Sequence, residues 1–386
     1  MRVAVVVRSL KIGGMERAAV NLAEAFAAQG HEAHLIYFKD KNRELFPDET
    51  VEVHHFGLEK KMRRSIPGMG WELFSRLMNS IVRRSYFFWS GFYLSKLFAA
   101  ELEALERAAG PFDLIVARGQ GTFETLWNFR DPRFFQVVES MFLFPGKPLQ
   151  NFYLRSIYER KNIICVSRGV RQQFVQTAQT AGFTPNAVHL ITNPMDPEHV
   201  LELSGKYEPE IDGPYILSVG RITPNKNLSL LIDAYLILRG TLQKPPMLII
   251  IGDGHDRPGI EAKIARHDAQ EFIKLLGKKE NPYPWMRRAE LFVLSSKFEG
   301  LGMVLIEAMA CGTKVVATKA PGGVFDIMTG KLEPYLADLT PVSLAEKMIF
   351  ALENPVPDYR ETLDAFRPRT IVQRFSTLSS EPASKR

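Results

Sequence analysis

The sequence predicts an α/β protein made of two consecutive doubly wound domains facing each other across a cleft. Two observations predict it. Short apolar runs alternate with helical segments along the chain, and a polar, Gly- and Pro-rich stretch at 204–214 (SGKYEPEIDGP) separates two such series of comparable size. The length agrees, because 386 residues exceed one ordinary hydrophobic core.

The first series opens with a continuous apolar run at 2–7, the pattern of a strand buried on both faces. A loop containing Gly13-Gly14 leads to a helix over about 15–29. Ala19, Leu22, Ala23 and Phe26 lie on one face of it, and Gly30 stands just past its end. Residues 33–38 form the next strand, so the opening unit is βαβ and the sheet is parallel. Further strands fall at 113–117, 135–138, 162–166 and 188–191, with a helix over 168–179. The second series has strands at 215–219, 247–251, 272–275, 290–294 and 314–318, and helices at 227–239, 258–267 and 303–311. The predicted division is 1–203, 204–355, and a C-terminal segment 356–386. In such folds ligands sit at the carboxyl ends of the strands.

Composition narrows the class. With 46% hydrophobic and 24% charged residues the chain is an ordinary globular protein, and no apolar run is long enough to span a bilayer. The N-terminal run reads as a core strand and not as a leader. The two cysteines, Cys165 and Cys311, lie in apolar segments and read as reduced core thiols, which rules out a disulfide framework. These features predict a cytoplasmic protein. The net charge of +6 suits an anionic partner of some kind. Between Lys60 and Lys96 there are eight Lys/Arg and one acid, Glu72, interleaved with Trp71, Phe74, Phe87, Phe88 and Trp89. This is either an ordinary helix pair with solvated cations or an interfacial surface for an anionic membrane.

The strongest constellation is Phe298-Glu299-Gly300-Leu301-Gly302-Met303, running on to Glu307. It follows a predicted strand and opens a predicted helix. Glycines allow close backbone approach, and a helix N-terminus favours anions. Glu299 and Glu307 repel phosphate, so they suit neutral hydroxyls such as those of a ribose and a hexose. The second constellation, from Gly220 to Asn227, sets Arg221 and Lys226 on one loop. Two fixed cations fit a diphosphate leaving group. No Asp-x-Asp pair occurs anywhere, so the usual carboxylates for a donor-bound metal are missing and the two cations stand in for it. The third is Lys11-Ile12-Gly13-Gly14-Met15-Glu16-Arg17, which is not a G-x-G-x-x-G fingerprint. His255 reads as a solvated loop residue, and Asp326 as one that steadies a helix start.

Taken together, GGMERAAVNLA, SVGRITPNKN, LIIIGDG, AELFVLSSKFEGLGMVLIEAMACGTKVVAT and PGG occur in an order that resembles the retaining GT-B-fold glycosyltransferases of family 4, over most of the chain. The resemblance implies a nucleotide-sugar donor, UDP ahead of GDP, and no cofactor or metal. It implies that Glu307 binds the donor ribose. Glu299 and the backbone of Gly300, Leu301, Gly302 and Met303 would hold the transferred sugar. Arg221 and Lys226 would grip the diphosphate, the backbone near Leu276 and Gly277 would flank the base, and Gly14 would meet phosphates or acceptor. It also implies a last helix, near 366–377, that crosses back to the first domain. Relatives of this type often build lipopolysaccharide, O-antigen, capsule or other lipid-linked glycans, which fits a peripheral protein on the cytoplasmic face of the inner membrane.

The chain departs from the family at two strand ends. Where many relatives carry histidines, it has Arg118 and Glu139. Glu139 is a candidate to orient an acceptor hydroxyl. This departure motivates the alternative of a non-catalytic nucleotide-sugar or anionic-surface binding protein. Nucleic-acid binding is disfavoured because no such module is present, and a dinucleotide oxidoreductase because the fingerprint is missing.

Overall fold

The computed structural model describes residues 1–11, 13–41, 43–83, 85–140 and 148–380. Ile12 of the motif at 11–17, Arg84 of the basic stretch, Met141 and Phe142 beyond Glu139, and the tail 381–386 lie outside the described residues.

The chain divides into two compact units. The first holds residues 1–166, 170–194 and the segment from Pro368 onward; the second holds 167–169 and 195–367. In chain order, the first begins with β1 (Arg2–Ser9), α1 (Gly14–Ala28), β2 (Glu32–Lys39), β3 (Glu52–His55), α2 (Leu58–Arg64), α3 (Ile66–Ile81) and α4 (Tyr86–Ala109). It continues with β4 (Leu114–Arg118), α5 (Gln120–Thr125), β5 (Phe134–Val138), α6 (Pro148–Tyr158), β6 (Asn162–Cys165), α7 (Arg168–Ala181) and β7 (Ala187–Leu190). Its seven strands are ordered β3-β2-β1-β4-β5-β6-β7, all parallel. The apolar runs explain the burial: Val3 to Val7 and Leu114 to Ala117 are almost wholly shielded from solvent.

The second unit contains α8 (Pro197–Ser204), β8 (Tyr215–Val219), α9 (Leu228–Thr241), β9 (Met247–Ile251), α10 (Arg257–Arg266), β10 (Ile273–Leu275), α11 (Tyr283–Arg288) and β11 (Leu291–Leu294). After these come α12 (Met303–Ala310), β12 (Val315–Thr318), α13 (Val324–Ile327), a 3-10 turn (Gly330–Tyr335), β13 (Leu336–Ala337), α14 (Pro341–Glu353) and α15 (Arg360–Phe366). The sheet order is β10-β9-β8-β11-β12-β13, again parallel. The second unit takes up the chain at 195, before the polar stretch at 204–214 predicted to divide the domains, because α8 packs on α11 and α12. The last helix, α16 (Pro368–Ser380), belongs to the first unit, where Phe375 meets Phe26 of α1 edge-on at 5.7 Å.

The basic-aromatic stretch folds as α2, α3 and the first half of α4. Its aromatic residues pack on one another, and one of the five noted in the sequence is buried. Phe88 is buried and stacks on Trp127 at 4.6 Å, and Trp71 donates to the Trp89 carbonyl at 2.8 Å. Trp71, Phe87 and Trp89 are half-buried, and Phe74 remains 38% exposed on α3. What α3 exposes is mainly aliphatic, with Phe74 on the same face. Ile66, Met69, Leu73, Leu77 and Ile81 lie at i, i+3, i+7, i+11 and i+15 and are 53–82% exposed. The lone acid is buried: Glu72 binds Arg76 at 2.9 Å and Arg63 at 3.1 Å and accepts from the Tyr86 hydroxyl at 2.5 Å. Lys61 pairs with Glu101. Lys60, Arg64 and Arg83 have no acidic partner among the described residues. No helix of the described residues is long and apolar enough to cross a membrane.

Candidate active site

In the second sheet, β8 connects outward to β9 on one side and neighbours β11 on the other. Strand order reverses at that seam, and the loops after the two strands are thrown together there. This is why residues 220–227 and 295–302, far apart in sequence, become one structure. The Lys297 amide donates to the Asn225 carbonyl at 2.8 Å, the Asn225 side-chain amide donates to the Phe298 carbonyl at 3.0 Å, and the Ser295 hydroxyl donates to the Lys226 carbonyl at 2.8 Å.

Within this joint Lys226 and Glu299 form an ion pair, Nζ to Oε1 at 2.5 Å. The same Oε1 accepts from the Ser296 hydroxyl at 2.5 Å. Glu299 and Ser296 are buried and Lys226 is half-buried. Charge-assisted bonds of this length hold both side chains in fixed positions. Arg221 is exposed and has no ion pair among the described residues. The sequence reading placed both cations on one loop; the structure gives them different states, one clamped by carboxylate and one available.

Two glycine-bearing loops hold the joint from either side. Gly252 has φ 144, and a Cβ there would lie 1.8 Å from the Gly220 carbonyl oxygen. Only glycine permits this approach. The contact lets the Ile222 amide donate to the Asp253 carbonyl at 2.9 Å, and the Gly252 amide donate to the Gly277 carbonyl at 2.9 Å. The Arg221 loop is therefore laced through Gly252 to Gly277. On the other side Gly322, with φ 112, would put a Cβ 1.6 Å from the Glu299 carbonyl oxygen. The Glu299 amide donates to the Pro321 carbonyl at 3.0 Å, and the Gly323 amide to the Glu299 carbonyl at 3.2 Å. Ser295, Ser296, Asn225 and the Pro321-Gly322-Gly323 brace were not assigned these roles from sequence. The available signal was a polar pair, Ser295-Ser296, ending an otherwise apolar strand.

Gly302 caps α12 in the left-handed conformation, φ 96 and ψ 41. Leu301, Leu305 and Ile306 are buried and fix the helix start beside Glu299. Met303 opens the helix, and Glu307 lies half-buried on its second turn. Cys311, which closes it, has its thiol pushed up to about 12 by burial first and by the nearby Glu307 charge second. His255 is exposed, and Asp326 sits in the first turn of α13.

The other two candidates belong to the first unit. Gly14 opens α1 and is exposed. Glu139 follows β5 and binds Arg118, at the end of β4, with Nε to Oε1 at 2.7 Å. Arg118 is 1% exposed and also donates to Asn193 Oδ1 at 2.5 Å. Burial pushes the Glu139 carboxyl up, against the pull of Arg118.

Comparison with known proteins agrees with this architecture. Residues 12–199 match the model for Glycosyltransferase Family 4, and residues 202–369 match that for Glycosyl transferases group 1. The chain is 32% identical over 176 residues to the Campylobacter jejuni N-acetylgalactosamine-N,N'-diacetylbacillosaminyl-diphospho-undecaprenol 4-alpha-N-acetylgalactosaminyltransferase, covering 45% of this chain and 46% of that protein. It is 28% identical over 173 residues to the Rhizobium meliloti lipopolysaccharide core biosynthesis glycosyltransferase LpsE, covering 44% and 48%. The chain thus spans about half the length of the curated relatives it matches. Anabaena HepE, solved with UDP and glucose, superposes with a TM-score of 0.69 at 19% identity over 99% of this chain and 100% of that one. Sucrose-phosphate synthase from Thermosynechococcus elongatus gives a TM-score of 0.71 at 18% identity over 98% of each. The fold is GT-B, and the chain belongs to glycosyltransferase family 4.

Proposed function

We propose that this glycosyltransferase is a retaining, metal-independent enzyme. It moves a hexose or N-acetylhexosamine from a UDP donor to a lipid-linked or lipopolysaccharide-type glycan. The observation that carries the reading is the Lys226–Glu299 pair at the seam of the second sheet, with Arg221 on the same joint. Arg221 and Lys226 take the diphosphate charge that builds as the sugar leaves. Lys226 exchanges Glu299 for phosphate, which releases the carboxylate to the sugar hydroxyls. Glu307 binds the ribose, the backbone from Gly300 to Met303 holds the sugar, and Gly277 flanks the base.

In the transfer step, the bond from the anomeric carbon to the diphosphate oxygen breaks. A bond to the acceptor oxygen forms on the same face, and the acceptor proton passes to the leaving phosphate. No protein base is needed. Glu139, fixed by Arg118, orients the acceptor hydroxyl through its second oxygen, and Gly14 meets the phosphates or the acceptor. Support for UDP comes from HepE, solved with UDP and glucose; support for a lipid-linked acceptor comes from the name of the Campylobacter relative. The exposed apolar face of α3, with Lys60 and Arg64 before it in sequence and Arg83 after it, supports the further reading that the enzyme docks peripherally on an anionic membrane, at the cytoplasmic face of the inner membrane.

The test is turnover of a panel of UDP- and GDP-sugars with a polyprenyl-diphosphate glycan acceptor, with and without EDTA, and NMR of the product's anomeric centre. Retention, insensitivity to EDTA and a loss of about 10²-fold or more in kcat/KM for Arg221→Ala are expected. An inverted product, or activity abolished by EDTA, contradicts the mechanism. No turnover on any donor leaves the binding-protein alternative.

A further inference from the structure

We propose that the edge of the first sheet carries a site for one divalent transition-metal ion, built from His34, Glu52 and His54. The site is separate from the donor-binding loops. Strand register assembles it. In the parallel pairing of β2 with β3, His34 stands opposite Glu52, and Ile36 opposite His54. Side chains two apart share a face, so all three donors project from one side of the sheet.

The donor atoms converge. His34 Nδ1 lies 2.9 Å from His54 Nε2 and 3.4 Å from Glu52 Oε2, and His54 Nε2 lies 3.3 Å from Glu52 Oε1. Tetrahedral zinc, with bonds of about 2.0–2.2 Å to nitrogen and oxygen, separates its ligands by about 3.3 Å. One ligand atom from each of the three residues lies within 4.8 Å of the other two, so the three could reach a single ion. Two imidazoles and a carboxylate are a donor set for zinc, cobalt or nickel, and unsuited to magnesium or calcium.

An outer shell already orients the innermost ligand. His34 Nε2 bonds Glu32 Oε1 at 2.9 Å, and that oxygen is held by Arg2 Nε at 2.6 Å. With its Nε2 proton committed to a carboxylate, His34 turns the Nδ1 lone pair toward the site, the arrangement that metal-binding histidines use. Phe112 packs edge-on against the His34 ring at 5.0 Å, and His34 is fully buried. His54 is half-buried and Glu52 exposed, which leaves an entry path and a fourth position for water.

The site lies five residues before Lys39, the end of β2, or about 16 Å along the strand. It is therefore at the amino end of the sheet, away from the strand ends that carry Arg118 and Glu139. An ion here ties the four-residue edge strand β3 to β2, and β3 leads directly into α2 and α3. Its effect is on the stability of that edge.

The test uses full-length, tag-free, metal-stripped protein. It is titrated with Zn2+ by calorimetry and with Co2+ by visible absorption. One ion per chain and the intense visible bands of tetrahedral Co2+ are expected, with a higher Tm when zinc is bound. Removing a ligand should cost more than removing its outer-shell support: Glu52→Gln and His54→Gln weaken zinc by about 100-fold, and Glu32→Gln by about 10-fold. Glu52 is exposed, so its variant reports even if His54→Gln folds poorly. His31→Gln, beside the N-terminal amine, leaves affinity unchanged. Absence of the Co2+ bands, or zinc affinity unaltered in Glu52→Gln, overturns the proposal, as does binding that is lost in His31→Gln.

Discussion

Arg118 and Glu139 remove two charges from water and compensate with one short ion pair and a bond to Asn193. Breaking a buried pair strands the other charge, at a cost of about 3–5 kcal/mol. Glu139→Ala should therefore lower stability by that amount in urea unfolding, beyond any effect on transfer. A change under 1 kcal/mol would show that the pair is not structural. Lys161 is a buried charge with no ion pair among the described residues. It is 3% exposed, donates to the Phe129 carbonyl and faces the Phe134 ring at 5.4 Å. Burial pushes its ammonium down from 10.5 to about 6. Between those values the unfolded chain binds a proton that the folded chain does not. The penalty is thus complete below pH 6 and is relieved as pH rises, adding up to about 1.4 kcal/mol of stability per pH unit. Lys161→Met should raise stability at pH 6 and flatten the difference between pH 6 and pH 9. An unchanged slope contradicts this. Neither burial was readable beforehand: Arg118 and Glu139 were noted only as departures at strand ends, and Lys161 looked like any lysine before a strand.

At the scale of elements, the continuous apolar strands were legible because both faces are covered, so β1, β8, β9, β11 and β12 appear as unbroken runs. β3, with sequence EVHH, was not, because an edge strand keeps polar residues and lacks that signal. β13 is only two residues long. The Glu299 loop was legible from its glycines and flanking acids, but its pairing with Lys226 depends on strand order, which local sequence does not encode. The face of α3 was half legible. Charge and aromatic residues marked the stretch, while the exposed stripe is built mainly of Ile, Leu and Met, with Phe74 the one exposed ring named in it. Over 16 residues that stripe runs about 24 Å, enough to lie along a bilayer surface. Leu73→Glu with Leu77→Glu should lower partitioning onto anionic vesicles by at least tenfold, and Arg64→Glu should lower it by about 1 kcal/mol for each charge removed. Sedimentation unaffected by all three substitutions would remove the membrane assignment.

At the scale of the molecule, the two alternating series became two parallel sheets, and the unit that carries Arg221, Lys226, Glu299 and Glu307 is self-contained around its own switch point. The return of α16 to the first unit was expected from resemblance rather than from any pattern in its residues. The central claim is that the second unit's joint is a nucleotide-sugar site. Calorimetric binding of UDP and of GDP, each to the wild type and to Glu307→Ala, tests it most directly. UDP should bind more tightly than GDP. Loss of a charged hydrogen bond to ribose, about 1.5–3 kcal/mol, should weaken UDP by roughly 10- to 100-fold in Glu307→Ala. Binding of neither nucleotide, or UDP affinity unchanged by the substitution, would contradict the account.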